Sequence, residues 1–431
     1  MISANNPDLV SWIHVSEDSD FPIQNIPFGV GFLVQDEPFV ATRIGDKVIN
    51  LAALNDKGYF KELGFKSADF NCSSLNALMK YGKLPLRNLR NRISSLFTQG
   101  NMELQGHEED CMDVLYSADR VQLLLPVTIG DYTDFYSSKE HATNVGMMFR
   151  DPANALLPNW LWLPVGYHGR SSSIITSEVP VVRPKGQTKV EGENPTFEAS
   201  ARVDFELEMG FYTFDGKPLG ERISTAEAED FIFGLSLFND WSARDIQQWE
   251  YVPLGPFLAK NFASSISPWI VTLDALQPFA VDTPVQEPAV LSYLKFEGKK
   301  SYDINLEVFI QPKDGAEDRV CLSNFKYMYW NMAQQLAHHT VNGCNIRCGD
   351  LMGSGTISGP TPDSYGSMLE LSWRGEKPVK LNNGTERKFI HDFDTVIMRG
   401  YCEKDGTRIG FGEVKTQLLP VFKPKKTNKP V

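Results

Sequence analysis

The stretch Asp204-Phe-Glu-Leu-Glu-Met-Gly210 alternates polar and apolar side chains, which is the pattern of a β-strand. On a strand, Glu206 and Glu208 project from one face, while Leu207 and Met209 point to the other. Two adjacent carboxylates repel each other, and on an exposed edge they only decorate the surface. The apolar neighbours favour burial instead, and a buried acid pair needs a cation. The stretch therefore predicts a strand with either a surface acid pair or part of a cation site.

A second predicted strand, Phe231-Ile-Phe-Gly-Leu-Ser-Leu-Phe-Asn-Asp240, is apolar until it ends in Asn-Asp. Two interpretations of Asp240 stay open. Its carboxylate caps the helix that follows, or it joins a ligand site, because ligand groups gather at strand-to-helix junctions. Lys260, further along, lies in an apolar segment, and a buried lysine is rarely left unpaired.

The segment between Asp240 and Lys260 begins with a predicted short helix, opened by Ser242-x-x-Asp245 as a capping box. Arg244, Gln247 and Tyr251 fall on one face of this helix. That face therefore combines a cation, an amide and a phenol, a set suited to binding an anionic ligand.

Three further features have both a structural and a functional interpretation. His141 is embedded among polar and aromatic residues, where a histidine is either hydrogen-bonded for structure or part of a site. The pair His338-His339 indicates the end of a helix. The Gly-rich segment 349–359 fits neither the P-loop nor the Rossmann spacing, and is either backbone close to a ligand or an ordinary turn.

Composition limits the classes of protein that fit. The chain has 431 residues, enough for two or three domains, and its aromatic and glycine content favours a β-rich fold. The net charge of −12 argues against a nucleic-acid-binding surface. An anionic substrate must therefore be bound locally, through a few cations or a metal.

Features of location point to the cytoplasm. The six cysteines lack paired spacing, which indicates reduced thiols rather than disulfides. We expect no secretory signal and no membrane span, since no apolar run reaches about 18 residues. The basic tail Lys423-Pro-Lys-Lys-Thr-Asn-Lys-Pro-Val431 is expected to be a solvated terminus.

The chain changes character near residue 121, so we predict domains at 1–120 and 121–431. The first contains three candidate strands, 29–34, 39–44 and 47–51, and helical spacing at 75–81 and 86–97. Chemically active side chains concentrate in the second, for which more strands are predicted, including Met368-Leu-Glu-Leu-Ser-Trp373.

The polar blocks of the second part resemble the fumarylacetoacetase family in their order and joint presence. The matching blocks are Asp131-Tyr-Thr-Asp-Phe-Tyr-Ser-Ser, His141-Ala-Thr-Asn-Val-Gly, Leu163-Pro-Val-Gly-Tyr-His-Gly-Arg170, Asn239-Asp-Trp-Ser-Ala-Arg-Asp-Ile-Gln, Trp249-Glu-Tyr-Val-Pro-Leu-Gly-Pro-Phe and Gly353-Ser-Gly-Thr-Ile-Ser-Gly359. The resemblance implies a mainly β fold, with a small SH3-like N-terminal barrel followed by a larger C-terminal β-roll domain with a few helices. It also implies a homodimer.

The resemblance assigns a role to each matching residue. Asp134, Glu206, Glu208 and Asp240 would hold Ca²⁺ or Mg²⁺, and a minor second cation would lie near Lys260 and Ser264, where the family usually has threonine. His141 would be the general base, oriented by Glu370. The implied oxyanion groups are Arg244, Gln247 and Lys260, and the implied substrate-binding residues are Tyr136, Arg150, Tyr167, Gln247, Tyr251 and Thr356.

The implied reaction is hydrolysis of a carbon–carbon bond of the dianion 4-fumarylacetoacetate, the last step of tyrosine and phenylalanine catabolism. Two alternatives remain: an acylpyruvate hydrolase or other enzyme of the same superfamily, and a non-catalytic protein in which the cation only staples the fold. An intact His141–Glu370 pair argues against the second, because a structural metal site needs no base.

Overall fold

Residues 2–34 and 36–422 are described by a computed structural model of the chain. The predicted basic tail lies outside the described residues. The fold is mainly β, with a small N-terminal sheet followed by a larger β-rich part, as the sequence predicted. No helix in the described ranges is both long enough and apolar enough to span a bilayer.

Apolar runs separated by turns form an antiparallel five-stranded sheet in the N-terminal part, with strand order β4-β3-β2-β1-β5. Its strands are β1 Gly29–Phe32, β2 Phe39–Ile44, β3 Lys47–Asn50, β4 Leu115–Ser117 and β5 Gln122–Leu123. Five helices fill the connection from β3 to β4: α1 Leu51–Asp56, α2 Asn76–Met79, α3 Lys83–Phe97, α4 Met102–Gln105 and α5 Glu108–Val114. The three predicted strands and both helical segments are confirmed within a few residues.

The larger part contains the remaining strands and helices of the described chain. The strands are β6 Tyr132–Phe135, β7 Gly166–His168, β8 Ile174–Thr176, β9 Val181–Val182, β10 Lys185–Thr188, β11 Thr196–Ala199, β12 Val203–Asp204, β13 Leu207–Thr213, β14 Ile232–Asn239, β15 Ser242–Ala243, β16 Ser264–Ile266, β17 Val271–Thr272, β18 Ala280–Val281, β19 Ser301–Tyr302, β20 Asn305–Gln311, β21 Asp318–Asn324, β22 Leu351–Gly353, β23 Val379–Lys380, β24 Glu386–Arg387, β25 Thr395–Lys404 and β26 Thr407–Leu419. The helices are α6 Lys139–Phe149, α7 Arg244–Glu250, α8 Leu273–Leu276, α9 Met332–Thr340 and α10 Met368–Leu371.

The main sheet of this part has the order β7-β6-β22-β13-β14-β16-β8, with β17 also paired to β14. One face packs against a second sheet of order β21-β20-β25-β26-β9. The other face shares a core with the N-terminal part, through side chains such as Tyr212 and Phe238. The alternation along β13 puts Leu207 and Met209 in the core between the two sheets, which leaves the glutamates on the opposite face.

Three local predictions were wrong. The stretch Asp204–Gly210 is two strands, β12 and β13, because the chain turns from pairing with β15 to pairing with β14. The segment 368–373 begins as helix α10, because the Ser367 side chain caps it by accepting from the backbone N–H of Glu370. Helix α7 has no capping box, since Ala243 precedes it and provides no side-chain acceptor.

The pair His338-His339 lies in the last turn of α9, as predicted. All six cysteines are free thiols. The domain boundary at 120/121 stays a prediction.

Candidate active site

Four buried carboxylates meet where neighbouring strands of the main sheet end. Asp134 lies on β6, Glu208 on β13, Glu206 just before β13 and Asp240 just after β14. One oxygen from each lies within 4.8 Å of the others, and all four side chains are buried. Asp240 is not the cap of the helix after it, because Ala243 precedes α7, and its carboxylate lies in the cluster instead.

Two buried cations contact one side of this cluster. The Lys260 ammonium bonds Glu206 and lies 2.6 Å from Asp240 Oδ2. Arg244 Nη1 lies 2.7 Å from Glu206 Oε1. Burial alone raises the pKa of Glu206, but the Lys260 and Arg244 charges outweigh it and lower that pKa to about 2. Glu206 is therefore an ionised, fully paired carboxylate.

The other side of the cluster lacks such compensation. Burial, followed by the charge of neighbouring carboxylates, holds the pKa values of Asp134 and Glu208 well above their usual range. Asp134 Oδ1 and Glu208 Oε1 are buried with no hydrogen-bond partner among the described residues. Orphaned buried carboxylate oxygens are costly, and an all-oxygen donor set of this kind suits a hard divalent cation. The residues therefore fit a metal ion.

The Gly-rich segment brings backbone against this cluster. A Cβ on Gly353 would lie 2.7 Å from Asp134 Oδ1 and 3.2 Å from Glu208 Oε2, so only glycine leaves room. The backbone N–H of Gly355, a residue at φ +77°, donates to Glu208 Oε2 over 3.0 Å. The segment shapes and orients the acid cluster from β22 and the loop after it.

His141 forms the second half of the site, at the start of helix α6. Its backbone N–H donates to the capping side chain of Ser138, which places the imidazole in the first turn. Nδ1 lies 2.7 Å from Glu370 Oε2, and both side chains are buried. Because an ionised carboxylate only accepts hydrogen bonds, Nδ1 carries the proton and the Nε2 lone pair is left free. Tyr136 packs edge-on against the ring, with centroids 5.3 Å apart.

Glu370 itself is held by three further side chains that the sequence analysis missed. Asn144 Nδ2, Ser358 Oγ and Ser367 Oγ all donate to its carboxylate, at 2.8–3.0 Å. Burial raises the pKa of Glu370, but His141 and these donors outweigh it, so the pKa is lowered. Two spacings in this set are visible in sequence: Asn144 lies one turn after His141 on α6, and Ser367 lies three residues before Glu370, as in a capping box.

Arg244 and Gln247 lie together, as the predicted helix face required. Arg244 Nη1 donates to Gln247 Oε1 at 3.3 Å, and Arg244 Nε donates to Asp204 Oδ2 at 2.8 Å. Arg244 Nη2 is buried and has no partner among the described residues. The site thus contains one buried guanidinium N–H₂ group available to a ligand.

The remaining predicted binding residues differ in how closely they approach the site. The Tyr167 hydroxyl donates to Asp240 Oδ2 at 3.1 Å. Thr356 is buried in the loop next to Gly355. The Arg150 guanidinium donates to the carbonyl of Ala155, though its charge also acts on the Tyr136 hydroxyl. Tyr251 is 49% exposed after α7, with no described polar contact to the cluster.

Ser264 and Lys260 border a cavity that opens beside Asp240. The Ser264 hydroxyl donates to Asp240 Oδ1 at 2.7 Å. The cavity measures about 290 Å³, and Tyr132, Tyr167 and Arg170 also line it. The Lys260 ammonium has no lone pair and a raised pKa, because the Asp240 and Glu206 charges outweigh its burial, so its side chain does not fit as a metal ligand.

Comparison with known proteins gives the same family for both parts of the chain. Residues 24–126 match the model described as fumarylacetoacetase N-terminal, and residues 131–418 match that described as fumarylacetoacetate (FAA) hydrolase C-terminal. A fumarylacetoacetase from Dictyostelium discoideum is 53% identical, covering 96% of this chain and 99% of its own length. One from Homo sapiens is 49% identical, covering 96% and 100%.

A solved structure with the same fold is a fumarylacetoacetate hydrolase from Exiguobacterium antarcticum. It superposes with a TM-score of 0.51 at 15% identity, covering 92% of this chain and 99% of that one. At this identity the likeness concerns the fold alone. The two family models and the relatives near 50% identity carry the assignment: the chain belongs to the fumarylacetoacetate hydrolase family.

Proposed function

We propose that the chain is an enzyme that hydrolyses the carbon–carbon bond of 4-fumarylacetoacetate to fumarate and acetoacetate. The observation that carries this proposal is the pairing of a buried four-carboxylate cluster with a separate, buried His141–Glu370 pair. The first fits a divalent cation, and the second fits a general base. Relatives of about 50% identity over nearly the whole chain bear the name of this activity.

His141 removes a proton from the attacking water. The Glu370 carboxylate fixes the tautomer through Nδ1, so the Nε2 lone pair is available as acceptor. It also stabilises the imidazolium that forms. The water oxygen then adds to the carbonyl carbon next to the double bond of the substrate. When the bond from that carbon to the methylene breaks, its electron pair goes to the methylene carbon as an enolate, and the proton held by His141 is transferred to that carbon to give the methyl group of acetoacetate.

The oxyanion formed by water addition needs positive donors, and the site offers two cations and an amide. Arg244 Nη2 is unpartnered, and the amide nitrogen of Gln247 remains available because its oxygen accepts from Arg244. Lys260 uses two of its three N–H donors on Glu206 and Asp240. One donor of this kind contributes roughly 3–4 kcal/mol to stabilising the transition state.

The substrate carries two carboxylates, so we propose that cationic and phenolic side chains bind its ends. Arg150, Tyr136, Tyr167, Tyr251 and Thr356 are the candidates, with Gln247 shared between binding and catalysis. In support, Tyr136 contacts the ring of His141 and Tyr167 contacts Asp240. Arg150 instead donates to the carbonyl of Ala155 and Tyr251 is 49% exposed, so the family resemblance alone supports these two residues.

We propose Asp134, Glu206, Glu208 and Asp240 as the ligands of Ca²⁺ or Mg²⁺. A cation held there would act as a Lewis acid towards the enolate oxygens of a β-diketone. The minor second cation near Lys260 and Ser264 stays a prediction; the Lys260 ammonium has no lone pair, so the side-chain oxygen there that could bind it is the Ser264 hydroxyl. What Ser264 contributes is a hydrogen bond that orients Asp240.

We also propose a homodimer located in the cytoplasm and acting at the end of tyrosine and phenylalanine breakdown. These statements rest on the family resemblance, together with six free thiols for the compartment. Sedimentation of the purified protein tests the dimer: a single species of one-chain mass would contradict it.

Decay of the ultraviolet band of the conjugated enol tests the activity directly. Fumarylacetoacetate should lose this band in the presence of the protein, and a chelator should stop the loss. Acylpyruvates run in parallel should decay much more slowly. Faster decay of an acylpyruvate would make the protein an acylpyruvate hydrolase instead. If the band of neither substrate decays although metal is bound, the protein is not a hydrolase of these compounds and the cation only stabilises the fold.

A further inference from the structure

Asp204 is a fully buried carboxylate with three partners and no role in the mechanism above. Its Oδ2 accepts from Arg244 Nε at 2.8 Å and from the backbone N–H of Leu369 at 2.9 Å. Its Oδ1 accepts from the backbone N–H of Met368 at 2.7 Å. One side chain at the end of β12 therefore joins the start of α7 to the first turn of α10.

The contact with Asp204 fixes the orientation of the Arg244 guanidinium group. The guanidinium group is planar, so holding Nε and Nη1 determines where Nη2 points. Asp204 holds Nε, while Glu206 and Gln247 hold Nη1. Within the described ranges, Nη2 is the N–H₂ group of Arg244 that has no hydrogen-bond partner, and it is the group we assign to the oxyanion.

The positive charge of Arg244 does not require Asp204 as a second carboxylate partner. Arg244 already contacts Glu206, which also contacts Lys260, and three other carboxylates lie nearby. Burying a further negative charge beside an acid cluster is unfavourable unless it is well paired. What Asp204 adds is orientation.

For Glu370, the contact fixes the start of the helix that carries it. The first N–H groups of a helix have no acceptor within the helix. Asp204 accepts from two of them, at Met368 and Leu369, and Glu370 is the next residue. A shift of this turn would move Glu370 relative to the Nδ1 atom of His141.

We propose that Asp204 is a positioning residue for the reaction, acting through Arg244 and at the same time anchoring the turn that presents Glu370. Its described contacts are with Arg244, Met368 and Leu369, and we assign it no direct contact with substrate or metal. Its carboxylate sets the relative placement of the oxyanion donor and the base, which lie on different helices. The proposal rests on the hydrolase activity proposed above.

The test is a double-mutant cycle on steady-state kinetics. In Asp204→Asn the amide keeps one acceptor oxygen for Met368 and puts a donor where Arg244 Nε needs an acceptor. We expect kcat to fall about 100-fold, as for misplaced catalytic groups generally, with a smaller change in KM. In the Arg244→Ala background the same change should cost less, about threefold, because the part of its effect that runs through Arg244 is gone and only the anchoring of the α10 turn remains.

Two further variants control for the loss of a nearby carboxylate and separate the charge of Arg244 from its geometry. Asp245→Asn alters the neighbouring carboxylate of α7, which bonds Ser200 and Ala201 instead, and should leave kcat unchanged. Arg244→Lys keeps the charge but loses the fork that Asp204 orients, so it should be about as slow as Arg244→Ala. This second comparison holds even if Asp204→Asn fails to fold.

Full activity of Asp204→Asn, the same loss in both backgrounds, or a fast Arg244→Lys variant would each overturn the proposal. If the unsubstituted protein itself does not hydrolyse fumarylacetoacetate, the proposed function fails, and that result is distinct from these.

Discussion

In the imidazole of His141, Nδ1 is hydrogen-bonded to Glu370 and Nε2 has no described hydrogen bond, and the proposed chemistry depends on that difference. Nδ1 faces Glu370, which receives three other donors and cannot easily turn away. Nε2 is the nitrogen that we propose as the proton acceptor for water.

Replacing His141 by alanine should remove the base and leave the metal site in place. We expect kcat to fall by roughly 10²- to 10⁴-fold, the usual contribution of general base catalysis, while metal content stays the same. Glu140→Gln is the matched control, since this neighbour on α6 has a carboxylate oxygen without a partner. Substantial residual activity in the alanine variant would remove His141 from the base role.

Sequence patterns alone identified several candidate site residues but not the residues that they contact. The alternation around Glu206 and Glu208 indicated a shared face, and Lys260 was expected to be paired; both features are present in the structure. Asp204 and Ser358 had no signal, because their contacts join residues 40 and 12 positions apart, across elements whose packing local pattern does not encode.

Strand β22 passes so close to the acid cluster that a side chain larger than that of glycine at position 353 would contact the carboxylates. Gly353 pairs with Gly210 of β13 and with Asp134 of β6, so it lies between two of the proposed ligand-bearing strands.

Gly353→Ala should therefore weaken metal binding without unfolding the sheet. Its new methyl group would meet Asp134 and Glu208 oxygens at 2.7 and 3.2 Å, which forces at least one ligand to move. We expect a loss of metal affinity of about tenfold or more, in the range seen when ligand-orienting groups are altered. Calorimetric titration with Ca²⁺ or Mg²⁺ measures it.

Gly315→Ala, whose nearest contacts would be 3.3 Å, is the control for this substitution. Equal affinity in both variants would mean that the cation does not lie between Asp134 and Glu208.

Element prediction failed where tertiary contacts outweigh local pattern. The segment 368–373 alternates like a strand, yet the Ser367 cap and the Asp204 carboxylate satisfy the free N–H groups of a helical turn. Strand β14 was predictable because it is apolar along a buried sheet, and β13 was predictable from the alternation of polar and apolar side chains at its start, although not its boundary with β12.

At the scale of the whole molecule, the acid cluster links metal binding, pH and stability. The pKa values of Asp134 and Glu208 are raised in the folded metal-free protein by burial and then by neighbouring carboxylates. Groups with raised folded-state pKa values stabilise the fold below their unfolded pKa of about 4, and this contribution is lost as the pH rises through the folded values. Metal binding needs both carboxylates ionised, so it should oppose that loss.

The increase in unfolding temperature on adding Ca²⁺ or Mg²⁺ should therefore grow from pH 5 to pH 8. Each proton released on binding changes metal affinity by about tenfold per pH unit. Burial lowers the pKa values of His338, His339 and His391, so these residues also make stability depend on pH. Comparing metal-loaded with chelated protein at each pH cancels their contribution. Scanning calorimetry gives both temperatures, and an increment that shrinks with pH would contradict this linkage.

The family resemblance supplied what pattern alone did not: that carboxylates from residues 134 to 240 form one site. Local periodicity predicts faces and caps, but it contains no information on which strand ends are adjacent in the main sheet. The order β6-β22-β13-β14 brings these ends together.

The central claim is that the buried carboxylates hold a divalent cation that hydrolysis requires. Asp134→Asn tests it most directly, because Asp134 Oδ1 has no described partner and the amide keeps its size. Metal content by mass spectrometry and fumarylacetoacetate turnover are measured on the same preparation. We expect this variant to fold but to lose both stoichiometric metal and turnover. A variant that keeps its metal and its activity would contradict it.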